Sequence, residues 1–242
     1  MRVYESNKIK NITLVGNSGS GKTTLAEAIV FNGGIIDRCG DVSNKNTVSD
    51  YNDIEHENQN SIFSTILYTE WKDNKINFID NPGLDDFVGG SITAYQVTDL
   101  TAMVVNSQNG VEVGTEIQGR HAARLNKPMI FIANHLDHDK ANFEKTIENL
   151  KERFGANVIV TQYPVETGTG FNSIIDIITM KMYKYKAEGG LAEVTDIPAN
   201  EVDKAEELHN ALIEKAAESD ESLMEIFFEN ETLTREELTR GI

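Results

Sequence analysis

Short apolar runs and stretches of helical spacing follow one another along the first two thirds of the chain. The apolar runs have the length of β-strands and lie at residues 9–16, 63–68, 76–80, 100–107, 128–134 and 157–163. Apolar residues recur at helical spacing between several of these runs, at 22–31, 115–125 and 143–154. Strands that alternate with helices predict βαβ units and a mostly parallel β-sheet flanked by helices on both faces, which is an α/β fold.

Two segments of this region do not alternate. The polar residues WKDNK join the second and third apolar runs, and so short a polar connection predicts a hairpin. Residues 32–60 are polar and have no period. A loop of that length inside a compact domain is usually functional or mobile. We expect this one to be mobile when no ligand is bound.

The remainder of the chain has a different pattern. The stretch FNSIIDIITMKMYKY predicts paired strands, and beyond residue 198 a helix is predicted by the helical spacing of Ala205, Leu208, Leu212 and Ala216. Thr234 and Glu237 have the spacing of a capping box at the start of a last helix. The adjacent Phe227 and Phe228 are expected in the core of a helix rather than on a docking surface.

Composition narrows the class of protein. The chain has 242 residues, of which 39% are hydrophobic and 25% charged, as in ordinary globular proteins. The apolar runs all fall short of the ~20 residues that span a bilayer, and the N-terminus lacks the apolar stretch of a signal peptide. A single cysteine, Cys39, excludes an internal disulfide framework and fits a reducing compartment. We therefore expect a cytoplasmic protein with no membrane association.

Charge is distributed unevenly. The net charge is −17, and residues 187–242 contain 16 acidic and 4 basic residues, so the first 186 residues carry only −5. An acidic surface of this kind argues against non-specific binding to nucleic acid by the chain as a whole. The acidic helical stretch is interpreted as a solvated face.

The first motif with specific chemistry is GNSGSGKT, which fits the phosphate-binding pattern GxxxxGK[ST] between a strand and a helix. The glycines let backbone N–H groups point at phosphate oxygens, and the helix N-terminus adds positive potential. Lys22 is expected to reach the β- and γ-phosphates, and the Thr23 hydroxyl to bind Mg²⁺. The predicted phosphate-binding residues are Gly16, Asn17, Ser18, Gly19, Ser20, Gly21, Lys22, Thr23 and Thr24.

The second motif is DNPG, which follows the apolar run 76–80. Asp80 ends this strand, where an aspartate directed at Mg²⁺ is expected in a nucleotide-binding sheet. Gly83 can bring a backbone N–H close to a γ-phosphate because it has no side chain. With Asn81 and Pro82 between them, these residues complete the predicted phosphate and metal set.

The third motif is NHLD, directly after the run 128–134. A carboxylate only accepts hydrogen bonds. Guanine offers two donors, N1–H and N2–H₂, on its Watson–Crick edge, so Asp137 can select guanine, while Asn134 contacts the base or braces the loop. His135 lies between them. The three motifs in this order predict a domain that binds GTP or GDP with Mg²⁺.

These motifs, together with longer stretches, resemble the N-terminal part of the elongation factor G family. Four stretches are similar to that family in amino-acid sequence and spacing: WKDNKINFIDNPGLDDF, NGVEVGTEIQGRHAARLNKPMIFIANHLD, NFEKTIENLKERFGANVIVTQYPV and ESLMEIFFENETLTREEL. The resemblance implies a P-loop NTPase fold at 1–163 and the family's α+β insertion subdomain at 164–242. It also implies a ribosome partner, with contacts to ribosomal RNA and stalk proteins. We expect a monomer that is part of a longer factor.

The chain departs from the family at positions that serve hydrolysis. The family has a histidine that orients the attacking water at the position of Leu84, and leucine cannot donate, accept or move a proton. Gly19 replaces an aspartate of the phosphate loop. In the first switch the family has Arg-Gly-Ile-Thr where this chain has NQNSI at 58–62, which leaves the Ser61 hydroxyl to bind Mg²⁺ beside Thr23 and Asp80. His135 replaces the lysine that stacks on guanine, and Asn81 replaces a threonine.

The resemblance and the departures together imply a translation factor that binds GTP, acts in ribosomal translocation and hydrolyses GTP slowly or not at all. Losing a positioned water-orienting group typically costs ~10²–10⁴ in rate. An alternative is a ribosome-protection or regulatory ribosome-binding protein on the same fold. A third interpretation is an unrelated P-loop phosphotransferase, against which Asn134 and Asp137 argue.

Overall fold

The computed structural model describes residues 3–186 and 190–242. The chain divides into two units, Met1–His135 and Leu136–Ile242, and each is described by itself. The domain boundary expected at residues 163 and 164 stays a prediction, because this division follows the packing of the backbone and not the limits of an insertion.

The strands of the first unit form one mostly parallel sheet. They are β1 Ile9–Val15, β2 Thr65–Trp71, β3 Asn74–Asp80, β4 Leu100–Asn106 and β5 Met129–Asn134. Their order is β2-β3-β1-β4-β5, and neighbouring strands are parallel except for β2 and β3. The connecting segments contain the helices α1 Lys22–Asn32, α2 Asp53–Asn58, α3 Val88–Val97 and α4 Val113–Arg124. The predicted α/β fold is confirmed.

The predicted hairpin is confirmed as the antiparallel pair β2 and β3. Lys72 and Asp73 form its two-residue turn, with φ of 44° and 61°. Two consecutive positive φ values match the right-handed twist of the strands on either side. The strand β2 begins at Thr65, two residues later than the apolar run that predicts it.

Strand β4 lies in the middle of the core. Ala102 and Val104 pack with Leu14 of β1 and with Ala26 and Val30 of α1. Met103 alternates to the opposite face and is also fully buried. A strand covered on both faces has a continuous apolar sequence, and LTAMVVN at 100–106 has one.

The second unit combines an antiparallel sheet with helices. Its described elements are α5 Phe143–Phe154, β6 Gln162–Pro164, β7 Ser173–Asp176, β8 Lys181–Lys184, β9 Glu193–Thr195, α6 Val202–Ala217, α7 Glu221–Asn230 and α8 Arg235–Gly241. The sheet order is β6-β7-β8-β9 with antiparallel neighbours. The expected pairing within 171–185 and the capping box of Thr234 and Glu237 are confirmed.

The strand expected at 157–163 is wrong for most of its length. Only Gln162–Pro164 forms a ladder, against β7, and the Ile177 N–H bonds to the Thr161 carbonyl at its edge. Gly155, at φ 96°, ends α5, and the Val158 N–H turns back to its carbonyl at 3.2 Å. Residues 158–160 are half-buried without a strand partner. The apolar residues of this run are partly buried, but they do not form a β-strand.

The expectation for Phe228 is also wrong, because this side chain is 76% exposed. Leu223 is the fully buried residue of α7. Phe228 follows it by five positions, and at ~100° per residue it lies about 140° around the helix from the buried side. Phe227 is half-buried. The buried face of α7 therefore includes Leu223 and excludes Phe228.

None of the helices formed by residues 3–186 and 190–242 combines the length and the hydrophobicity that a bilayer crossing requires.

The burial of β4 on both faces predicts that shortening one of its side chains lowers the stability of the fold. Val104→Ala removes two methyl groups from a fully buried site, and we expect it to lower the free energy of unfolding by roughly 2–3 kcal/mol. Urea unfolding followed by circular dichroism measures this change. The matched control is Val97→Ala on α3, where the side chain is 63% exposed and the expected change is below about 0.5 kcal/mol. Equal losses in the two variants would contradict this account of the core.

Candidate nucleotide-binding site

The predicted phosphate loop lies between β1 and α1 with the conformation that its glycines allow. Gly16, Gly19 and Gly21 have φ of 144°, 76° and 89°, values that other residues adopt only with strain. The loop is also packed closely. A Cβ on Gly16 would lie 2.2 Å from the carbonyl oxygen of Val104. The spacing of the glycines therefore reflects backbone geometry and close contact with β4.

Lys22 folds over this loop. Its Nζ donates to the carbonyls of Gly16 and Asn17, at 3.0 Å each. Burial lowers the pKa of Lys22 to about 8, although the nearby carboxylates of Asp80 and Asp50 act in the opposite direction. The ammonium group is thus held inside the concave side of the loop, where a phosphate oxygen can replace the carbonyl partners.

Thr23, Ser61 and Asp80, the three residues predicted to bind the metal, lie together. The Thr23 hydroxyl donates to Asp80 Oδ2 at 2.9 Å and is 3.0 Å from Ser61 Oγ. Asp80 is fully buried, burial raises its pKa, and its Oδ1 has no hydrogen-bond partner among the described residues. Hydroxyl and carboxylate oxygens are the ligands that Mg²⁺ prefers. The unpartnered oxygen fits a cation site.

The four residues after Asp80 differ in their surroundings. The Asn81 side chain points into the sheet, where its Nδ2 donates to Thr13 Oγ1 and to two backbone carbonyls, and its contact with a nucleotide stays a prediction. Pro82 is buried. A Cβ on Gly83 would lie 2.7 Å from the backbone nitrogen of Ser18 and 2.8 Å from its Cα, so the phosphate loop leaves room only for glycine here. Leu84 is 39% exposed at the start of a short 3₁₀ turn, Asp85–Phe87.

Asn134 braces the phosphate loop. Its Nδ2 donates to the Ser20 carbonyl at 2.8 Å, and a Cβ on Gly21 would lie 2.3 Å from the same nitrogen. His135 has a positive φ of 57°, and its buried Nε2 has no hydrogen-bond partner within the described structure. Of the two roles that the sequence leaves open for Asn134, the structure shows the bracing contact. Asp137 is exposed and belongs to the second unit.

These groups surround a cavity of about 220 Å³ in the first unit. Its wall contains the predicted residues Ser18, Gly19, Gly21, Lys22, Thr23, Thr24, Ser61, Gly83 and His135. It also contains Val42 and Asp50, which the sequence did not single out, and Gln59 and Asn60, for which the sequence predicted no contact. Gly16, Asn17, Ser20, Asp80 and Asn134 are not part of this wall, but Gly16 and Asn17 accept from Lys22, Asp80 accepts from Thr23, and Asn134 donates to Ser20.

Comparison with known proteins agrees with this geometry. Residues 7–224 match the family described as "Elongation factor Tu GTP binding domain". The chain belongs to this family. It is also 35% identical, over all 242 residues, to elongation factor G from Petrotoga mobilis (strain DSM 10674 / SJ95), of which it covers 35%. A crystal structure of a Thermus thermophilus protein superimposes with a TM-score of 0.90 at 28% identity, over 97% of this chain and 35% of that one. The chain spans about a third of the length of these relatives.

The chain is therefore an elongation factor G-like GTP-binding domain. Near the group formed by Thr23, Ser61 and Asp80 lies a further carboxylate, that of Asp50, which the sequence did not reveal. Asp50 is buried, and its Oδ1 has no partner among the described residues. Burial raises the pKa of Asp50 to about 6, against the effect of its hydrogen bond with Ser61, and Asp80 raises it further. Ser49 donates to Asp80 Oδ2 at 2.7 Å. The segment VSD has no periodicity or motif that could have pointed to these roles.

Glu55 holds the segment that carries Ser61. It lies in α2 and is fully buried, and its Oε1 accepts from the backbone N–H groups of Ile62 and Phe63 at 2.9 and 3.0 Å. Its Oε2 accepts from Asn52 in a capping box. Burial acts to raise the pKa of Glu55, but these hydrogen bonds outweigh it and the pKa is lowered. The carboxylate fixes the position of the Ser61 hydroxyl from behind.

Two further side chains, those of Glu27 and Ser18, hold residues 32–60 against the rest of the first unit through three hydrogen bonds. Glu27 of α1 accepts from the backbone N–H groups of Gly40 and Val48, at 2.8 and 2.9 Å. The Ser18 hydroxyl donates to Asn60 Oδ1 at 3.1 Å. The segment, which the sequence presents as an unpatterned loop, therefore has defined anchors. Its mobility without nucleotide stays a prediction.

Glu55 gives the first prediction for this site. Glu55→Ala removes the acceptor for Ile62 and Phe63, so we expect the segment around Ser61 to loosen. Limited proteolysis should cleave between residues 49 and 64 at least several-fold faster, and Mg²⁺ should strengthen nucleotide binding less than in the unaltered protein. Glu57→Ala, on an exposed position of the same helix, is the control and should change neither quantity. Unchanged proteolysis in Glu55→Ala would count against the proposed anchor.

Asp50 gives a prediction for the metal-free protein. Its folded-state pKa of about 6 exceeds the ordinary value of ~3.9, so the charged form destabilises the fold. This cost is fully present above about pH 6 and is relieved as the pH falls towards 4. Asp50→Asn removes the charge and should raise the Tm in EDTA at pH 7.

The Tm difference between Asp50→Asn and the unaltered protein should shrink between pH 6 and pH 5, as measured by thermal unfolding. Asp53→Asn changes an exposed carboxylate nearby and should leave the Tm unchanged at both pH values. A lower Tm for Asp50→Asn at pH 7 would mean that the carboxylate stabilises the metal-free fold.

Proposed function

We propose that this domain binds GTP as part of a translation factor of the elongation factor G type, and that it hydrolyses GTP slowly or not at all. The observation that carries the proposal is the contrast between the groups of the cavity and the residue that directly follows Gly83 in the chain. The groups for phosphate and metal binding are present and in contact, while the position beside them that should orient water is Leu84, an exposed side chain without a polar atom.

Phosphate binding in this proposal uses the loop and its lysine. Backbone N–H groups of 16–23 and the start of α1 would surround the β-phosphate. Lys22 would leave the Gly16 and Asn17 carbonyls for the β- and γ-phosphates, and the Gly83 N–H would approach the γ-phosphate. The low pKa of Lys22 supports this, because a buried ammonium group gains most from an anionic partner.

Mg²⁺ would be held by the hydroxyls of Thr23 and Ser61, with Asp80 behind them. The ion neutralises phosphate charge when it is bound. The chain's own contribution is to keep the two hydroxyl oxygens 3.0 Å apart and to orient Thr23 through its bond to Asp80. The unpartnered Asp80 Oδ1 adds negative charge where a cation would lie.

Guanine selection would depend on Asp137, which can accept from guanine N1–H and N2–H₂ but has no donor for adenine. Asn134 supports it indirectly by holding the phosphate loop. His135 would face the base in place of a stacking lysine, and its unpartnered Nε2 supports a contact with the nucleoside.

The wider role follows from the relatives. The likeness to elongation factor G supports a cytoplasmic protein with the ribosome as its partner, including ribosomal RNA and stalk proteins, and a role in translocation. Within the chain it supports a P-loop domain at 1–163 and a family-specific insertion at 164–242. Bound GTP would order the Ser61 segment through its γ-phosphate and Mg²⁺ and so favour a ribosome-bound conformation without a chemical step.

The test restores the missing groups. Leu84→His, alone and combined with Gly19→Asp, should raise the single-turnover rate of GTP cleavage with ribosomes by at least ~10-fold, since a positioned acid–base group supplies ~10²–10⁴. Gly19 has open space where its side chain would be, and aspartate tolerates its positive φ. The unaltered chain should bind GTP in a titration and cleave it negligibly.

The control for this test is Leu191→His, at a fully exposed position of the second unit, which should leave the rate unchanged. Ribosome co-sedimentation in the same samples shows whether the chain is engaged. Rapid ribosome-stimulated cleavage by the unaltered chain would overturn the proposal of slow hydrolysis, and a preference for ATP over GTP would overturn the proposal of a GTP-binding domain.

A further inference from the structure

Gln59 lies in the wall of the nucleotide cavity, within the stretch NQNSI that departs from the family's first switch. It directly follows α2 and has a left-handed conformation, with φ 50° and ψ 38°. The two residues after it are fixed to the phosphate loop, since Asn60 accepts from Ser18 and Ser61 contacts Thr23. The backbone of Gln59 is therefore held at the rim of the cavity.

The rim at Gln59 is the end that would receive the outermost phosphate. A Cβ on Gly83 would lie 2.4 Å from Lys22 Nζ and 2.7 Å from the Ser18 backbone nitrogen, so two donors converge there. Ser18 is the residue that Asn60 contacts. The nucleoside end is marked by His135, close to Gly21. Gln59 is adjacent in sequence to Asn60, which contacts Ser18 at the phosphate end, and it has no such link to His135 at the nucleoside end.

Apart from Lys22 and Asp50, the side chains of the cavity wall carry no carboxylate, ammonium or guanidinium group. Gly19 has no atom within 4 Å of where a Cβ would lie, so the space beside the loop is open. Asn58 is turned away, because its Nδ2 donates to the Ile54 carbonyl at 2.8 Å. The side-chain amide of Gln59 has no hydrogen-bond partner among residues 3–186 and 190–242, and it is exposed at the rim.

We propose that Gln59 distinguishes GTP from GDP, by donating its side-chain amide N–H to an oxygen of the γ-phosphate. The contact can form only when a third phosphate is present, because the β-phosphate lies deeper, against Lys22 and the loop backbone. A neutral amide donor contributes a hydrogen bond to an anion without adding charge to the site. Glycine would adopt this backbone conformation with less strain, so glutamine is retained at a conformational cost. The proposal rests on the proposed binding of GTP.

The test compares the affinities for GDP and for a non-hydrolysable GTP analogue by titration calorimetry in Mg²⁺. Gln59→Gly keeps the backbone conformation and removes the amide, and Gln59→Leu keeps the bulk and removes the donor. Each should lower the preference for the triphosphate by roughly 10-fold, as expected for one hydrogen bond to a charged group. Gln59→Glu should lower it further by repulsion from the phosphate. Affinity for GDP should stay within about twofold in all three.

The matched control is Gln96→Leu, at an exposed position of α3, which should leave both affinities unchanged. A preference for the triphosphate that is unaltered in Gln59→Gly and Gln59→Leu overturns the inference and leaves the proposed function intact. Equal weakening of both nucleotides also overturns it, because it would show that Gln59 only supports the loop. Failure of the unaltered chain to bind either guanine nucleotide overturns the proposed function, and this inference with it.

Discussion

The buried carboxylate of Asp80 is the contact on which the arrangement of the cavity depends. It accepts hydrogen bonds from Thr23, at the start of α1, and from Ser49, in the long segment between α1 and β2. Thr23 in turn contacts Ser61. One side chain at the end of a strand thereby joins three parts of the chain that are distant in sequence. Its own position is fixed because β3 is paired on both sides, by β1 and β2.

Collecting these groups has an electrostatic cost. Burial raises the pKa of both Asp50 and Asp80 and lowers that of Lys22, so each group is destabilised in its charged form. Two carboxylates against one ammonium group leave the site with an excess of negative charge. A divalent cation relieves the carboxylates, and phosphate oxygens relieve Lys22. The charged groups that suit a cation and phosphate therefore lower the stability of the fold when no ligand is bound.

The sequence predicts the parts of the molecule that local patterns determine. The order of strands and helices, the phosphate loop and the roles of Thr23 and Asp80 could be predicted from period, glycine spacing and motif, while Ser61 was added to them only by the resemblance to the family. Asp50, Glu55 and Glu27 could not, because they act on backbone groups or carboxylates far away in sequence. Residues 157–161 and Phe228 show the converse limit: an apolar run need not form a strand, and an aromatic residue beside another need not be buried.

The way Ser61 is held separates binding from hydrolysis in physical terms. Glu55 accepts hydrogen bonds from the two backbone N–H groups that follow Ser61. Asn60, the residue before Ser61, accepts a hydrogen bond from Ser18. These contacts lie between protein groups and need no water molecule in a defined place. In the proposed function hydrolysis needs one, and Leu84 stands where the family has the histidine that orients it, although leucine has no polar atom that could do so. A domain of this kind can lose the orientation of water while the segment that reports the bound nucleotide stays anchored, because different side chains perform the two tasks.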